Sequence, residues 1–400
     1  MQASLLSFLL SLACLSSCGE PSQKSKDQLA APVFENTVNR GLAFTGVDLY
    51  YSSSDLLYYD YHRGLISGLL YGQSGDSALW WLDNELALFN RTPTYHNYVR
   101  YELSGREAFL LKQETSGDFE KGDPSHVLKL SNGHWLLSYF GKGQVVEIEP
   151  DTGKEVQKLD FSVDGPFHPS SMFKRSIAGV SYIFIAALGI EVDPANYKTF
   201  ANGKQGIFLV REDASGLKVL NQGRPIAIPK ASNPGFYHTD EVAPLVAGLC
   251  FAGTKGCKQS IEFLDVYKAV NGVSFDEVLV SHRYLDENLF TMNGSLSDGF
   301  EPNSLFANVV ANKNIEPFKK GEKYLISIQN KEPISIDMVH HYSHPDSSGS
   351  YLLLTDKGNG TLYFGDLTAN RQPSLNILHN ETKKVVLLKR IPYHGVLIPK

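Results

Sequence analysis

Little in this 400-residue chain is charged. Lys and Arg number 37 and Asp and Glu 43, a net charge of −6 with no block of either sign. A nucleic-acid groove has nothing here to build itself from, because phosphate contacts need clustered cations. Tryptophan (3), methionine (4) and cysteine (4) are scarce. No apolar run reaches the roughly 20 residues that cross a hydrocarbon core. No long stretch repeats its apolar residues every 3.6 positions, which sets helical architectures aside. Also missing are a Gly-x-Ser-x-Gly elbow, a His-Glu-x-x-His pair, a phosphate loop and a dinucleotide fingerprint. What remains is a chain 42% hydrophobic right to its C-terminus, long enough for one large folded unit and too apolar for disorder.

The start reads as an address. Leu5 to Leu15 is an apolar run of about 11 residues, suited to a secretory h-region. It ends in Leu15-Ser16-Ser17-Cys18, which resembles the bacterial lipobox. That resemblance implies a signal peptide over residues 1–17, acylation of Cys18, and a polar tether over 18–40. Gly19 is similar to the outer-membrane class, so the protein is expected in the cell envelope, lipid-anchored to the outer membrane and either periplasmic or surface-exposed. Met1 to Ser4 departs from the pattern in having no Lys or Arg. Two acyl chains or more anchor stably, whereas one alone is marginal. Cys14 goes with the signal, leaving Cys250 and Cys257, which an oxidising compartment would pair. Closing that short loop is worth about 2.5 kcal/mol in the chain-entropy model.

Residues 41–400 are expected to be all-β. Runs of Val, Ile, Leu, Tyr and Phe, such as Ser181–Ala187, Gly206–Val210, Lys323–Ile328 and Ser350–Thr355, are cut by Gly, Asn, Asp and Pro. The best unit runs from Asp123 to Phe161, with strands at Val127–Leu130, His134–Tyr139, Gln144–Glu149 and Glu155–Phe161. Its turns carry Asn132-Gly133, Gly141-Lys142-Gly143 and Asp151-Thr152-Gly153, residues that tolerate positive φ. Four strands in about 40 residues make one blade of a β-propeller. The unit resembles the YVTN-type surface-layer propeller repeat, which runs from a Pro-His entry to an Asp-Thr-Gly turn. Weaker entries lie at His62, Pro166-Phe167-His168, Pro234 to His238, Glu301-Pro302, His344-Pro345 and Pro392-Tyr393-His394. The chain stops one strand after the last. The missing strands of that blade are expected from Leu42 to Leu70, including Val47–Tyr51 and Leu56–Tyr61. The expectation is therefore a single propeller of seven four-stranded blades, closed by joining N- and C-terminal strands.

Chemistry would gather where loops enter the innermost strands. The recurring Pro-x-His brings His126, His168 and His394 toward one channel mouth, with His238 and His344 from the weaker entries as further candidates and Asp240, Glu241, Asp298, Glu301 and Asn303 as neighbouring oxygen donors. Imidazoles and carboxylates converging on a funnel can bind a ligand or an ion. A histidine repeated in every blade is equally a scaffold, its ring bonded to loop backbone. His340-His341-Tyr342-Ser343-His344 is the densest histidine run, but neighbours on a strand point to opposite faces, which disfavours chelation. Tyr50, Tyr51, Tyr58, Tyr59, Tyr61 and Tyr71 crowd the first blade, as inter-blade packing or as a binding face.

The expected function is binding, an envelope-anchored propeller acting as a scaffold for a protein or glycan partner, with no nucleic acid. No cofactor is required for that. The competing expectation is a lactonase-like hydrolase or lyase at the channel mouth, with calcium or zinc held by its carboxylates.

Overall fold

Strand after strand folds back on its predecessor, because the turns supply the backbone conformations that hairpins need. The third sheet shows this most plainly. Pro124–Lys129, Trp135–Tyr139, Gln144–Ile148 and Glu155–Lys158 pair antiparallel in sequence order. Gly133 (φ 88°), Gly143 (φ 62°) and Gly153 (φ 70°) sit in its three turns, where a Cβ would be strained. Burial grades across the sheet. Every residue of Trp135–Tyr139 is buried, while Glu155–Lys158 is largely exposed.

The computed structural model describes residues 29–400 except 35–36, 83, 92–96, 105–106, 116–122, 162–167, 193–198, 202–204, 228–232, 239–244, 250–259, 273–278, 285, 287, 302–303, 330–334, 345 and 348–350. Cys18, Cys250 and Cys257 lie outside the described residues, as do Asp240, Glu241 and Asn303. No helix among the described residues is long and apolar enough to cross a membrane.

The described strands form antiparallel sheets of four or five strands, taken in chain order. After a terminal sheet they begin at Ser77–Leu82, Pro124–Lys129, His168–Ile177, Asn233–His238, Phe290–Asp298 and Leu353–Asp356. These first strands lie against one another from sheet to sheet, and Leu353–Asp356 lies against Ile391–Pro399. The fourth sheet carries an insertion, the two-stranded ribbon Ile190–Val192 with Thr199–Ala201. The fifth carries a short helix, Val266–Val270, whose N-terminus is capped by Asp265 accepting from the Lys268 N–H at 3.0 Å.

The terminal sheet takes its strands from both ends of the chain. Its order is Leu29–Ala30, Leu65–Ser74, Ser53–Asp60, Asn39–Val47 and Ile391–Pro399. Leu42 sits opposite Leu397 and Phe44 opposite Gly395. The expected joining of N- and C-terminal strands in one sheet is thus present. Its details differ from the expectation in one place: Val47–Tyr51 is a strand end followed by a turn, with Tyr51 at φ 53° and Asp48 accepting from the backbone N–H groups of Tyr50 and Ser52.

The core is a set of layers between sheets rather than one centre. Leu56, Leu79, Leu88 and Val99 join the terminal and second sheets. Phe89, Tyr98, Trp135 and Val146 join the second and third, and Leu136, Ile183, Ile185 and Phe208 the third and fourth. Phe44, Tyr59, Tyr61 and Tyr363 join the terminal and seventh. The crowded tyrosines divide accordingly. Tyr58, Tyr59 and Tyr61 are buried between sheets, whereas Tyr50 is 89% exposed.

Two expected entries are corrected. His62 lies in the turn between Ser53–Asp60 and Leu65–Ser74, so the second sheet opens at Ser77 instead, with no Pro-x-His to mark it. Glu301 lies between Phe290–Asp298 and Ser304–Ala311, inside the hairpin that follows a first strand. Asp298 likewise ends its strand. Neither residue opens a blade.

Candidate functional site

Alternation along the first strands sends successive side chains to opposite faces of each sheet. In Ser77–Leu82, Ala78 and Leu79 are fully buried, and Trp80 is only partly so. The Trp80 ring lies 5.7 Å from that of His394 and 6.0 Å from that of His126, measured between centroids. Three sheets thus contribute one side chain each: His394 from the terminal sheet, Trp80 from the second and His126 from the third. All three remain partly accessible to solvent.

Both imidazoles are held neutral. Burial pushes His126 down to about 4. Burial, then the Arg91 guanidinium and His126, push His394 down to about 3. The Leu79 N–H donates to His394 Nδ1 at 3.2 Å, so that nitrogen carries no proton and Nε2–H is left as the donor. The His394 N–H in turn donates to Thr45 Oγ1 at 3.2 Å, fixing the strand that carries the ring.

Behind them sits a charged pair. Arg91 Nη2 lies 2.5 Å from Asp76 Oδ1, and the Tyr393 hydroxyl donates to the same oxygen at 3.4 Å. Burial works against the Arg91 charge, but Asp76, Tyr393 and Asp123 outweigh it and raise its pKa further above the usual value. A permanent cation beside neutral histidines favours keeping them unprotonated.

The other expected site residues separate. His168 donates from Nδ1 to the Phe140 carbonyl at 3.0 Å and packs on the Phe140 ring, the scaffold role. His344 accepts at Nδ1 from the Asp346 N–H at 3.0 Å, within its own turn, also scaffold. His238 ends the strand Asn233–His238, and its side chain lies outside the described residues. Asp298 Oδ2 is 3.9 Å from Lys357 Nζ. Glu301 is exposed, with its carbonyl accepting from the Ser304 hydroxyl at 2.6 Å. Among the described residues no three His, Cys, Asp or Glu side chains gather to hold a metal ion. His340 and His341 do not chelate together either: His340 Nε2 is 2.9 Å from Asp366 and His341 Nε2 3.0 Å from Glu322.

Trp80, Arg91 and Asp76 are absent from the sequence-derived set. Trp80 is one of three tryptophans and lies in an apolar strand packed on both faces, where nothing local sets it apart. A second concavity, about 620 Å³, opens between the third and fourth sheets. Glu147 lines it, a buried carboxylate that accepts from Asn132 Nδ2 at 2.9 Å and lies 2.7 Å from His134 Nδ1.

No protein-family model matches the chain, and no curated protein does. Solved structures do match in fold. Two chains called a "putative 6-phosphogluconolactonase" are similar: one from Bacteroides uniformis (TM-score 0.59, 11% identity, 90% of this chain and 100% of that one) and one from Bacteroides fragilis (0.58, 10%, 91% and 100%). A functionally unknown protein from Desulfotomaculum acetoxidans is also similar (0.53, 11%, 90% and 100%). The fold is that of a β-propeller. At such identities the likeness extends no further than that.

Proposed function

We propose that the chain is a seven-bladed propeller, closed through its terminal sheet and held to the outer membrane by lipid on Cys18, that binds a glycan or related polar ring compound where Trp80 meets His126 and His394. The observation that carries this reading is the partly accessible indole between two neutral imidazoles. An aromatic face stacks on the apolar face of a sugar ring, and His394 Nε2–H offers a donor to a ring hydroxyl. Arg91, already committed to Asp76, sets the local field and leaves little to attract a free anion.

Titration of the purified protein with neutral mono- and oligosaccharides, read by tryptophan fluorescence, tests it. A saturable change lost in Trp80→Ala and weakened in His394→Gln supports the reading. No change with any sugar, or a change that survives Trp80→Ala, ends it.

Hydrolysis or lyase chemistry at the same place is the second reading, favoured by the name that two fold neighbours carry. Since no described trio of ligands would hold calcium or zinc, it depends on His238, Asp240 and Glu241. Elemental analysis showing near one equivalent of either metal, with turnover of a sugar lactone, would put it first. A protein partner that crosslinks near this face instead of a sugar would make the scaffold role primary.

A further inference from the structure

Where the first hairpin of the seventh sheet meets the terminal sheet, buried polar atoms collect without hydrogen bonds of regular geometry. Asp356 ends the strand Leu353–Asp356 and is 1% exposed. Neither of its carboxyl oxygens has a hydrogen bond of regular geometry, and the same is true of Asn359 Oδ1 and Nδ2 and of the Tyr61 and Tyr363 hydroxyls. These groups converge. The Tyr61 hydroxyl faces both Asp356 and Tyr363, and the Tyr363 hydroxyl faces Tyr61 and Asn359. The two tyrosine rings stack with centroids 6.0 Å apart. No Lys or Arg pairs with Asp356 in the described structure: Lys357, next in sequence, reaches toward Asp298.

A carboxyl group buried this far is costly unless it is protonated or meets a cation. The two hydroxyls and the Asn359 amide can donate, but none of them brings the positive charge that a buried carboxylate calls for. A metal ion would take several oxygens at once. Burial, then Tyr363 and Asp356, push the Tyr61 hydroxyl well above its usual range, so it stays a neutral oxygen.

We infer that Asp356, Asn359 Oδ1 and the hydroxyls of Tyr61 and Tyr363 form a site for a hard metal cation that ties the seventh sheet to the terminal one. The all-oxygen donor set excludes soft transition metals. Its single carboxylate suits sodium or potassium, with calcium bound weakly. The site is separate from the Trp80 cluster and does not depend on any reading of that cluster.

The test is thermal unfolding of the protein after exhaustive exchange into choline chloride, followed by titration with sodium, potassium or calcium chloride at matched ionic strength. The expected result is a saturable rise of about 2–4 °C with at least one metal and none with choline. Asp356→Asn should abolish that rise while melting at or above the wild-type value in choline, since the amide needs no counter-ion. Asn359→Ala, which keeps the carboxyl group, should raise the half-saturating concentration of the effective metal several-fold. Identical melting in all four salts would overturn the site, whether the carboxyl is then protonated or hydrated. So would a metal-dependent rise that persists in Asp356→Asn, or a midpoint that Asn359→Ala leaves unmoved.

Discussion

Arg390 Nε lies 3.0 Å from Asp55 Oδ2, joining the entry to the last strand to a strand more than three hundred residues earlier. The same guanidinium reaches Asp48 Oδ2 at 3.4 Å and the Ser53 hydroxyl at 2.8 Å. It therefore clamps the strand and turn onto which the C-terminal strand must dock. The carboxylates are one-quarter exposed or less, so the pair is only partly screened by solvent.

Arg390→Leu should cost about 2 kcal/mol, because among the described residues Asp55 then keeps only the Gly72 N–H at 3.1 Å. Urea unfolding followed by circular dichroism would read this as a lower midpoint with unchanged slope. A midpoint equal to wild type would mean that the clamp is ornamental to the sheet.

Removing residues 391–400 should do far more. Asn39–Val47 would lose the strand paired along its length and expose both Phe44 and an open ladder of backbone groups. Such a truncation should aggregate or elute as an expanded species on size exclusion. A monomeric, cooperatively unfolding product would contradict the architecture.

Acid should weaken the fold before its carboxylates are involved. His126 and His394 titrate at about 4 and about 3 in the native protein against 6.5 unfolded. Below pH 6.5 the unfolded chain takes up protons that the native one refuses. Stability should fall through that window toward pH 4, each histidine contributing up to about 1.4 kcal/mol per pH unit. Asp48 is held below its ordinary 3.8, where its bonds from Ser52, Ser53 and Tyr50 outweigh burial, so its loss belongs to lower pH. Stability curves of His126→Asn and His394→Asn should be flatter between pH 6.5 and 4. Curves parallel to wild type there would show that neither ring is buried in its neutral form.

Gly75→Ala should cost about 2–3 kcal/mol. A Cβ there would run into the carbonyl of Tyr51 and the amide of Ser52, and Tyr51 already holds a left-handed φ. The check is again the urea midpoint, and an unshifted value would place that turn differently.

The third sheet is legible because each of its turns carries glycine beside Asn, Asp or Lys, so strand limits follow to within a few residues. The terminal sheet is legible from a count, one strand left over at the end and three available at the start. Pro-x-His marks three first strands, at His126, His168 and His394, because proline tolerates a strand start. It fails at Ser77 and misleads at His62 and Glu301, where the same residue types serve ordinary turns. The site is legible only by half. Two histidines of the expected ring do converge, but their partners Trp80 and Arg91 are set by which face of a strand turns inward. In a propeller both faces of a sheet are apolar, each against a neighbouring sheet, so alternation cannot tell them apart.

The terminal sheet also has a mechanical reading. Tension applied at the N-terminal end meets Leu29–Ala30 first, an outer strand held by two residue pairs, Leu29 with Ile66 and Ala30 with Leu65. That short edge would unzip one pair at a time at low force. The pull next meets Phe34, buried in the same core with its N–H donating to the Tyr61 carbonyl at 2.8 Å, and then Asn39–Val47, paired on both sides with Ser53–Asp60 and Ile391–Pro399, where it runs along the strand and must shear many bonds together. The molecule should accordingly yield in two stages, a soft extension of a few nanometres or less, then a stiff body that resists as a unit.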